Sequence, residues 1–250
     1  MQQKIILITG CSSGIGLDAA VALSHRGHRV IATCRKTDDV KKLIALGCET
    51  VRMDMNNTQS ITEAFSEILT KTAGRLDILI NNAGYGQAGA LEDVSREALR
   101  CQFETNVFGV MELTRLVIPV MRQQNQGRII NISSVLGLIS MPFRGAYNAS
   151  KYAVEGLSDT LRLELKSSGI AVICIQPGPI NSQFRNSAVN LSLNKIDLQH
   201  SHFRAQYQHM MSSFLQQKSN SIFTRGTDVV IGKLIQAIES KNPKIKYPVI

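Results

Sequence analysis

Apolar residues along the chain come in short, nearly unbroken runs rich in β-branched side chains, separated by longer amphipathic stretches. The runs are Ile5–Ile8, Arg29–Cys34, Thr50–Met53, Leu76–Ile80, Arg128–Ile132, Ala171–Ile175 and Lys246–Val249. A strand with one wet face alternates apolar and polar residues. A strand covered on both faces is apolar throughout, which is the habit of parallel sheets. Between the runs, apolar positions recur at helical spacing over about Leu17–Arg26, Asp38–Leu46, Gln59–Thr72, Arg96–Arg122, Tyr147–Lys166 and Thr227–Ser240. Repeated β-α-β units predict an α/β fold, a doubly wound parallel sheet of seven strands with helices on both faces. The pattern lapses over Gly178–Gly226, which is polar, rich in Ser, Asn and Gln, and carries one further helix near Leu198–Gln217. No linker, repeat or low-complexity tract divides the chain, so residues 1–250 read as a single domain with a substrate-loop insertion at about 178–226.

The first run leads straight into Thr9-Gly10-Cys11-Ser12-Ser13-Gly14-Ile15-Gly16, and a helical pattern follows at once. Glycines at such a turn let the backbone bend sharply and approach a pyrophosphate, with the positive end of the helix facing the anion. A glycine cluster carries this meaning only between a strand and a helix at the head of a β-α-β series, and this one lies there. The sheet therefore reads as Rossmann-like, with Gly10, Ser12, Ser13, Gly14, Ile15 and Gly16 as its phosphate-binding residues. In folds that hold NAD, an acid about 20 residues further on bonds the ribose hydroxyls. Here that count from Gly14 reaches Cys34, and the next two residues are Arg35 and Lys36. Two cations suit the extra 2′-phosphate of NADP, which an acid would repel. NADP(H) is the expected cofactor.

Tyr147 and Lys151 lie four residues apart at the head of a helical pattern, in YNASK. Residues at i and i+4 share a helix face. A phenol has an unperturbed pKa near ~10, too high for a base at neutral pH, and a nearby ammonium lowers it. The pair therefore supplies a tunable proton donor or acceptor. Ser134 follows the run Arg128–Ile132 directly. A side chain at the carboxyl end of a parallel strand reaches the crevice where ligands lie, and a hydroxyl there stabilises charge developing on a substrate oxygen. Asn106 falls inside a helical pattern, in ETNVFGV, where Asn and Gly are poor formers and suggest a kink or a polar function.

Together these motifs resemble the short-chain dehydrogenase/reductase family, over about residues 4–182. The glycine spacing matches TGxxxGIG, Asn81-Asn82-Ala83-Gly84 matches NNAG, and Ser134 stands 13 residues before Tyr147 as in the family pattern. The resemblance implies a catalytic set of Asn106, Ser134, Tyr147 and Lys151, with Asn106 holding a water that links Lys151 to solvent. It implies further cofactor contacts at Asp54 and Met55 (an adenine pocket), at Asn82, Ala83 and Gly84, at Tyr147 and Lys151 (the latter on the nicotinamide ribose), and at Pro177, Gly178, Ile180 and Ser182. The last of these replaces the family's Thr. The segments IATCRKTDD, PGP and NPKIKYPV resemble the branch with hydroxysteroid and retinol dehydrogenases, which implies a lipophilic carbonyl or alcohol substrate, steroid- or retinoid-like. Tyr85, Gln87, Leu136, Phe143 and Phe184 are the candidates to line its pocket. Two other readings use the same residues: a catalytically silent NADP-binding regulator, and a sugar-nucleotide epimerase or dehydratase.

Composition narrows the rest. The net charge of +9 arises from 28 basic and 19 acidic residues that are scattered, and aromatics make up 5% with no Trp. Neither feature suits a nucleic-acid reader. Five cysteines without a CxxC pair argue against a disulfide framework or a metal site and for a reducing compartment. No segment approaches the roughly 18 apolar residues of a membrane span. The expectation is a cytoplasmic oxidoreductase without bound metal, acting on a small molecule, and forming a homodimer or homotetramer through the two long helical segments, as the resemblance implies.

Overall fold

The computed structural model describes residues 2–181, 196–215 and 224–249. In chain order the elements are β1 (Ile5–Ile8), α1 (Gly14–His25), β2 (Arg29–Cys34), α2 (Thr37–Ala45), β3 (Glu49–Arg52), α3 (Thr58–Lys71), β4 (Ile78–Asn81), α4 (Arg96–Phe103), α5 (Gly109–Gln123), β5 (Gly127–Ile132), α6 (Gly145–Glu164), β6 (Ile170–Pro177), α7 (Arg204–Leu215), α8 (Asp228–Glu239) and β7 (Lys246–Val249). The seven strands form one sheet in the order β3-β2-β1-β4-β5-β6-β7, and every pairing is parallel. The order reverses between β1 and β4. The crevice beyond the carboxyl ends of these two strands is where such sheets bind ligands.

The unbroken apolar runs follow from burial on both faces. Ile6 and Ile8 of β1 point to one side, with Ile78, Ile80, Ile130 and Ile173, against Ala19, Ala20 and Leu23 of α1 and Val230, Leu234 and Ile238 of α8. Leu7 points to the other, with Ile31, Leu79, Ile129 and Val172, against α3 and α5 through Ile61, Phe65, Ile68, Leu113 and Val117. The central strands β1, β2, β4, β5 and β6 feed both cores, so both sets of their alternate positions are largely apolar.

The stretch Arg96–Arg122, read as one helix, is two. A π-helical turn at Glu104–Phe108 separates α4 from α5. The insertion of a residue into a helix by a π-bulge turns side chains to new directions and recurs at functional sites. Here it buries Asn106 to 1% exposure. Helix α7 docks on the body through Tyr207. Its phenol accepts from the Ala90 amide (2.7 Å) and donates to Asp93 Oδ2 (2.8 Å), which also accepts from Ser201 Oγ (2.7 Å). Its ring meets Phe143 edge-on at 5.6 Å. No helix among the described residues is long and apolar enough to cross a membrane.

Candidate active site

The glycine loop is built for a close backbone approach. Gly10 has φ +72°, and a Cβ there would come to 2.6 Å from Ala83 Cα. A Cβ on Gly16 would collide with Asn82 Nδ2 and the Gly10 carbonyl. The loop is tied across the switch point by side chains. Thr9 Oγ1 accepts from the amides of Asn82 (3.1 Å) and Ala83 (3.0 Å), and Asn82 Nδ2 donates to the carbonyls of Thr9 (2.9 Å) and Gly10 (3.0 Å). Asn82 thus shapes the loop through its side chain. Asn81, buried, donates to Thr114 Oγ1 and Asn131 Oδ1 and joins β4 to β5 and α5.

Helix α1 begins at Gly14 without a side-chain cap from Ser13, which is fully extended, and with no acid in its first turn. The first amides of a helix have no partner within it, and an uncapped start without a neighbouring acid favours an anion. Ser12 and Ser13 are exposed beside it, and Ile15 packs inward. These residues fit the pyrophosphate of a dinucleotide. At the far end of the crevice Arg35 and Lys36 are exposed just past β2, and Arg52 Nε donates to the Arg35 carbonyl at 3.0 Å. Asp54 is half-buried, its Oδ1 accepting from the Asn56 amide at 3.0 Å. Met55 is buried in the core below it.

Ser134 ends the segment after β5, buried, where its Oγ accepts from the Leu136 amide (3.1 Å) and donates to the Pro177 carbonyl (3.3 Å) at the end of β6. Tyr147, half-buried in the first turns of α6, shares a hydrogen bond with the Ser134 hydroxyl. Lys151, one turn further along, is 7% exposed. Its Nζ donates to the Ile132 carbonyl at 2.7 Å and lies 5.7 Å from the centre of the Tyr147 ring. Asn106 Oδ1 accepts from the Tyr85 amide (3.1 Å), while its Nδ2 donates to the Tyr85 carbonyl (3.0 Å) and to Ser150 Oγ (3.1 Å). Ser150 in turn donates to the Tyr147 carbonyl at 2.8 Å. Asn106 therefore braces the loop after β4 against the head of α6. The neighbouring Ser133 is buried to 2% and points away into the protein.

Electrostatically the pair differs from what its spacing suggests. Lys151 does not pull the phenol down. Burial outweighs the hydrogen bond shared with Ser134 and pushes Tyr147 up to about 12, while burial brings Lys151 down to about 8. The ammonium is turned to the Ile132 carbonyl instead of the phenol oxygen, and taking either charge out of water costs more than the neighbour returns. At neutral pH the arrangement holds a protonated phenol beside an ammonium.

On the substrate side, Pro177 closes β6. Gly178 donates its amide to the Val249 carbonyl (2.8 Å), and Ile180 bridges to Arg225. Ser182 and Phe184 lie outside the described residues. Gln87 is buried and donates its side-chain Nε2 to the Ala88 carbonyl (2.9 Å). Phe143 holds a left-handed backbone, φ +59°, unusual for a bulky residue, and packs edge-on against Phe203 at 5.4 Å. No local pattern points to the Tyr207–Asp93 contact, which spans 114 residues. Thr9 and Ser150 stood inside recognised motifs, and only the fold shows what their hydroxyls tie together.

The model of the short chain dehydrogenase family matches residues 4–191. This chain belongs to the short-chain dehydrogenase/reductase family. Among its relatives are the oxidoreductase YbbO of Escherichia coli K12, 41% identical over all of this chain and 86% of the relative, and the 3-ketodihydrosphingosine reductase of Bacteroides thetaiotaomicron, 37% identical over all of this chain and 88% of that one. Human retinol dehydrogenase 8 is 37% identical over 72% of this chain and 60% of its own length. A solved short-chain dehydrogenase from Streptomyces avermitilis superposes with a TM-score of 0.83 at 29% identity, covering 100% of this chain and 88% of that one. Family membership makes the chain a dehydrogenase/reductase that works with NAD(H) or NADP(H), and it includes a retinol dehydrogenase among its relatives.

Proposed function

We propose that this member of the family is an NADP(H)-dependent oxidoreductase that interconverts a lipophilic ketone or aldehyde and its alcohol. One observation carries the reading: Ser134, Tyr147 and Lys151, from the end of β5 and the head of α6, meet at the carboxyl edge of the sheet. When bound, the reduced nicotinamide supplies the hydride. Ser134 and Tyr147 offer their hydroxyls to the substrate oxygen, and the Tyr147 proton goes to that oxygen as the carbonyl carbon is reduced. Lys151 holds positive charge behind the phenol as it becomes a phenolate, and Asn106 fixes the head of α6. Asp54, Met55, Ala83, Gly84, Ile180 and Ser182 complete the proposed cofactor contacts.

The substrate class rests on the rim. Leu138, Ile139 and Met141, in the segment between Ser134 and Tyr147, are exposed, and Phe143, Phe203 and Met210 form an apolar wall with Tyr207. Two relatives are named for 3-ketodihydrosphingosine and retinol. A panel of aldehydes and ketones graded by chain length, read by loss of NADPH absorbance, is expected to show kcat/KM rising with apolar length. Preference for short polar carbonyls contradicts this.

The cofactor preference rests on Arg35 and Lys36. A charge-assisted bond contributes about 1.5–3 kcal/mol, so Arg35→Ala is expected to lower kcat/KM for NADPH by roughly 10–100-fold and to leave that for NADH nearly unchanged. A preference for NADH in the unsubstituted enzyme would refute the assignment. The α5–α6 surface carries an apolar groove of Met111, Ile118, Pro119 and Leu161 edged by Arg115 and Arg122. We place the homodimer or homotetramer contact there. Sedimentation equilibrium at micromolar concentration is expected to give at least a dimer, and a monomer would overturn this.

A further inference from the structure

Behind Lys151 lies a charged cluster that the proposed reaction has not used. Glu155, one turn further along α6, is 5% exposed. Its Oε1 accepts from Gln176 Nε2 of β6 at 3.0 Å, and its Oε2 forms an ion pair with Lys246 Nζ of β7 at 3.1 Å. Gln176 thus donates to one oxygen of the carboxyl group, and the Lys246 ammonium faces the other. Buried charges are costly unless paired and bonded, and the sheet spends two residues on this one. Residues at i and i+4 on a helix are neighbours, which places the carboxylate next to the Lys151 side chain. The space is closed by the turn after Ser134: a Cβ on Gly137 would lie 2.9 Å from Ser133 Oγ, 3.0 Å from the Lys151 carbonyl and 3.1 Å from Glu155 Cγ.

We propose that Glu155, held by Gln176 and Lys246, is a positioning residue that keeps a negative charge under Lys151 and so maintains the lysine as a cation. The inference builds on the role of Lys151 in the proposed reaction. The charged and titratable groups facing this pair are few. Tyr147 lies above Lys151 on α6, and Asp159 lies below Glu155, bonded to Arg162 and Lys246. Cys174 of β6 faces both. Its thiol, pushed up to about 11 by burial, is uncharged at neutral pH, and Glu155 is the carboxyl group one turn from Lys151. Lys246, at the rim, opposes that influence from the far side of the carboxylate, and its side chain is 32% exposed, so water screens it more than it screens Glu155.

The test reads Lys151 without turnover. The 13Cε resonance of Lys151, assigned by its loss in Lys151→Met, is followed against pH in the unsubstituted protein and in Glu155→Gln. The midpoint is expected to fall by about 1 pH unit in the variant, the low end for loss of a neighbouring opposite charge. An unchanged midpoint overturns the proposal, even if the melting temperature drops, because a purely structural role lowers stability without moving the titration. The variant should fold, since Lys246 keeps Asp159 at 3.1 Å. Should it not, the carboxyl 13C resonance of Glu155 in the unsubstituted protein decides. An inflection at the Lys151 midpoint supports the coupling, and a flat trace through it overturns the proposal. Because neither reading needs a substrate, failure of the enzymatic assignment stays distinguishable from failure of this one.

Discussion

Replacing Tyr147 by Phe is expected to lower kcat for carbonyl reduction by about 10²–10⁴-fold, the usual worth of a positioned general acid, with little change in the dissociation constant of the cofactor. Phe keeps the ring and its packing at the head of α6 and removes the hydroxyl shared with Ser134. The phenol suits an acid. Burial pushes it up to about 12, so it is fully protonated at neutral pH and has a proton to give. Initial rates with NADPH give kcat, and quenching of protein fluorescence or calorimetry gives cofactor affinity. A variant that loses only KM would show that the hydroxyl binds substrate equally in the ground and transition states, and the acid would then have to be sought elsewhere.

Lys151→Met is expected to cost a similar factor, about 10²-fold or more in kcat/KM, and to change the pH profile as well. Burial brings this lysine down to about 8, so in the unsubstituted enzyme its charge disappears as pH rises through that value. The reductive rate should decline across that range, because a neutral lysine no longer stabilises the phenolate left by proton transfer. The methionine variant should be slower and flat there. Stability carries the opposite sign. In the unfolded chain the lysine titrates near its ordinary 10.5. Between about 8 and 10.5 the unfolded state therefore binds the proton and the folded state does not, so the lysine's contribution to stability grows as pH rises. Denaturant midpoints taken from pH 7.5 to 10 should show that rise in the unsubstituted protein, less of it in the variant, and the kinetic decline should run against it.

Much of this architecture could be read from residue order. All seven strands came from apolar runs, and β1, β2 and β7 kept their sequence-read limits. The helix read over Arg96–Arg122 came out divided. Periodicity reports that apolar faces lie on both sides of the π turn at Glu104–Phe108, and it does not register the one-residue change of phase between them. The Asn and Gly within it were the trace of the break. At the site, spacing brought Ser134, Tyr147 and Lys151 together correctly but missed the balance between them. The expectation that Lys151 lowers the phenol treated the pair as solvated, whereas both are enclosed and the ammonium is turned to the Ile132 carbonyl. Glu155 was invisible because a Glu in an amphipathic helix reads as a wet face. Only the packing of β6 and β7 against α6, through Gln176 and Lys246, shows that it is dry. The Tyr207–Asp93 contact that docks α7 joins residues with no periodic relation at all.

The most direct measurement follows the hydrogen that moves. NADPH carrying deuterium at the transferred C4 position is incubated with the best lipophilic ketone from the panel, and the alcohol is analysed by mass spectrometry. One deuterium is expected on the carbinol carbon with the unsubstituted enzyme, and almost none over the same time with Tyr147→Phe. Equal labelling by the two proteins, or no labelled alcohol from any carbonyl tested, would contradict a reaction run by Ser134, Tyr147 and Lys151.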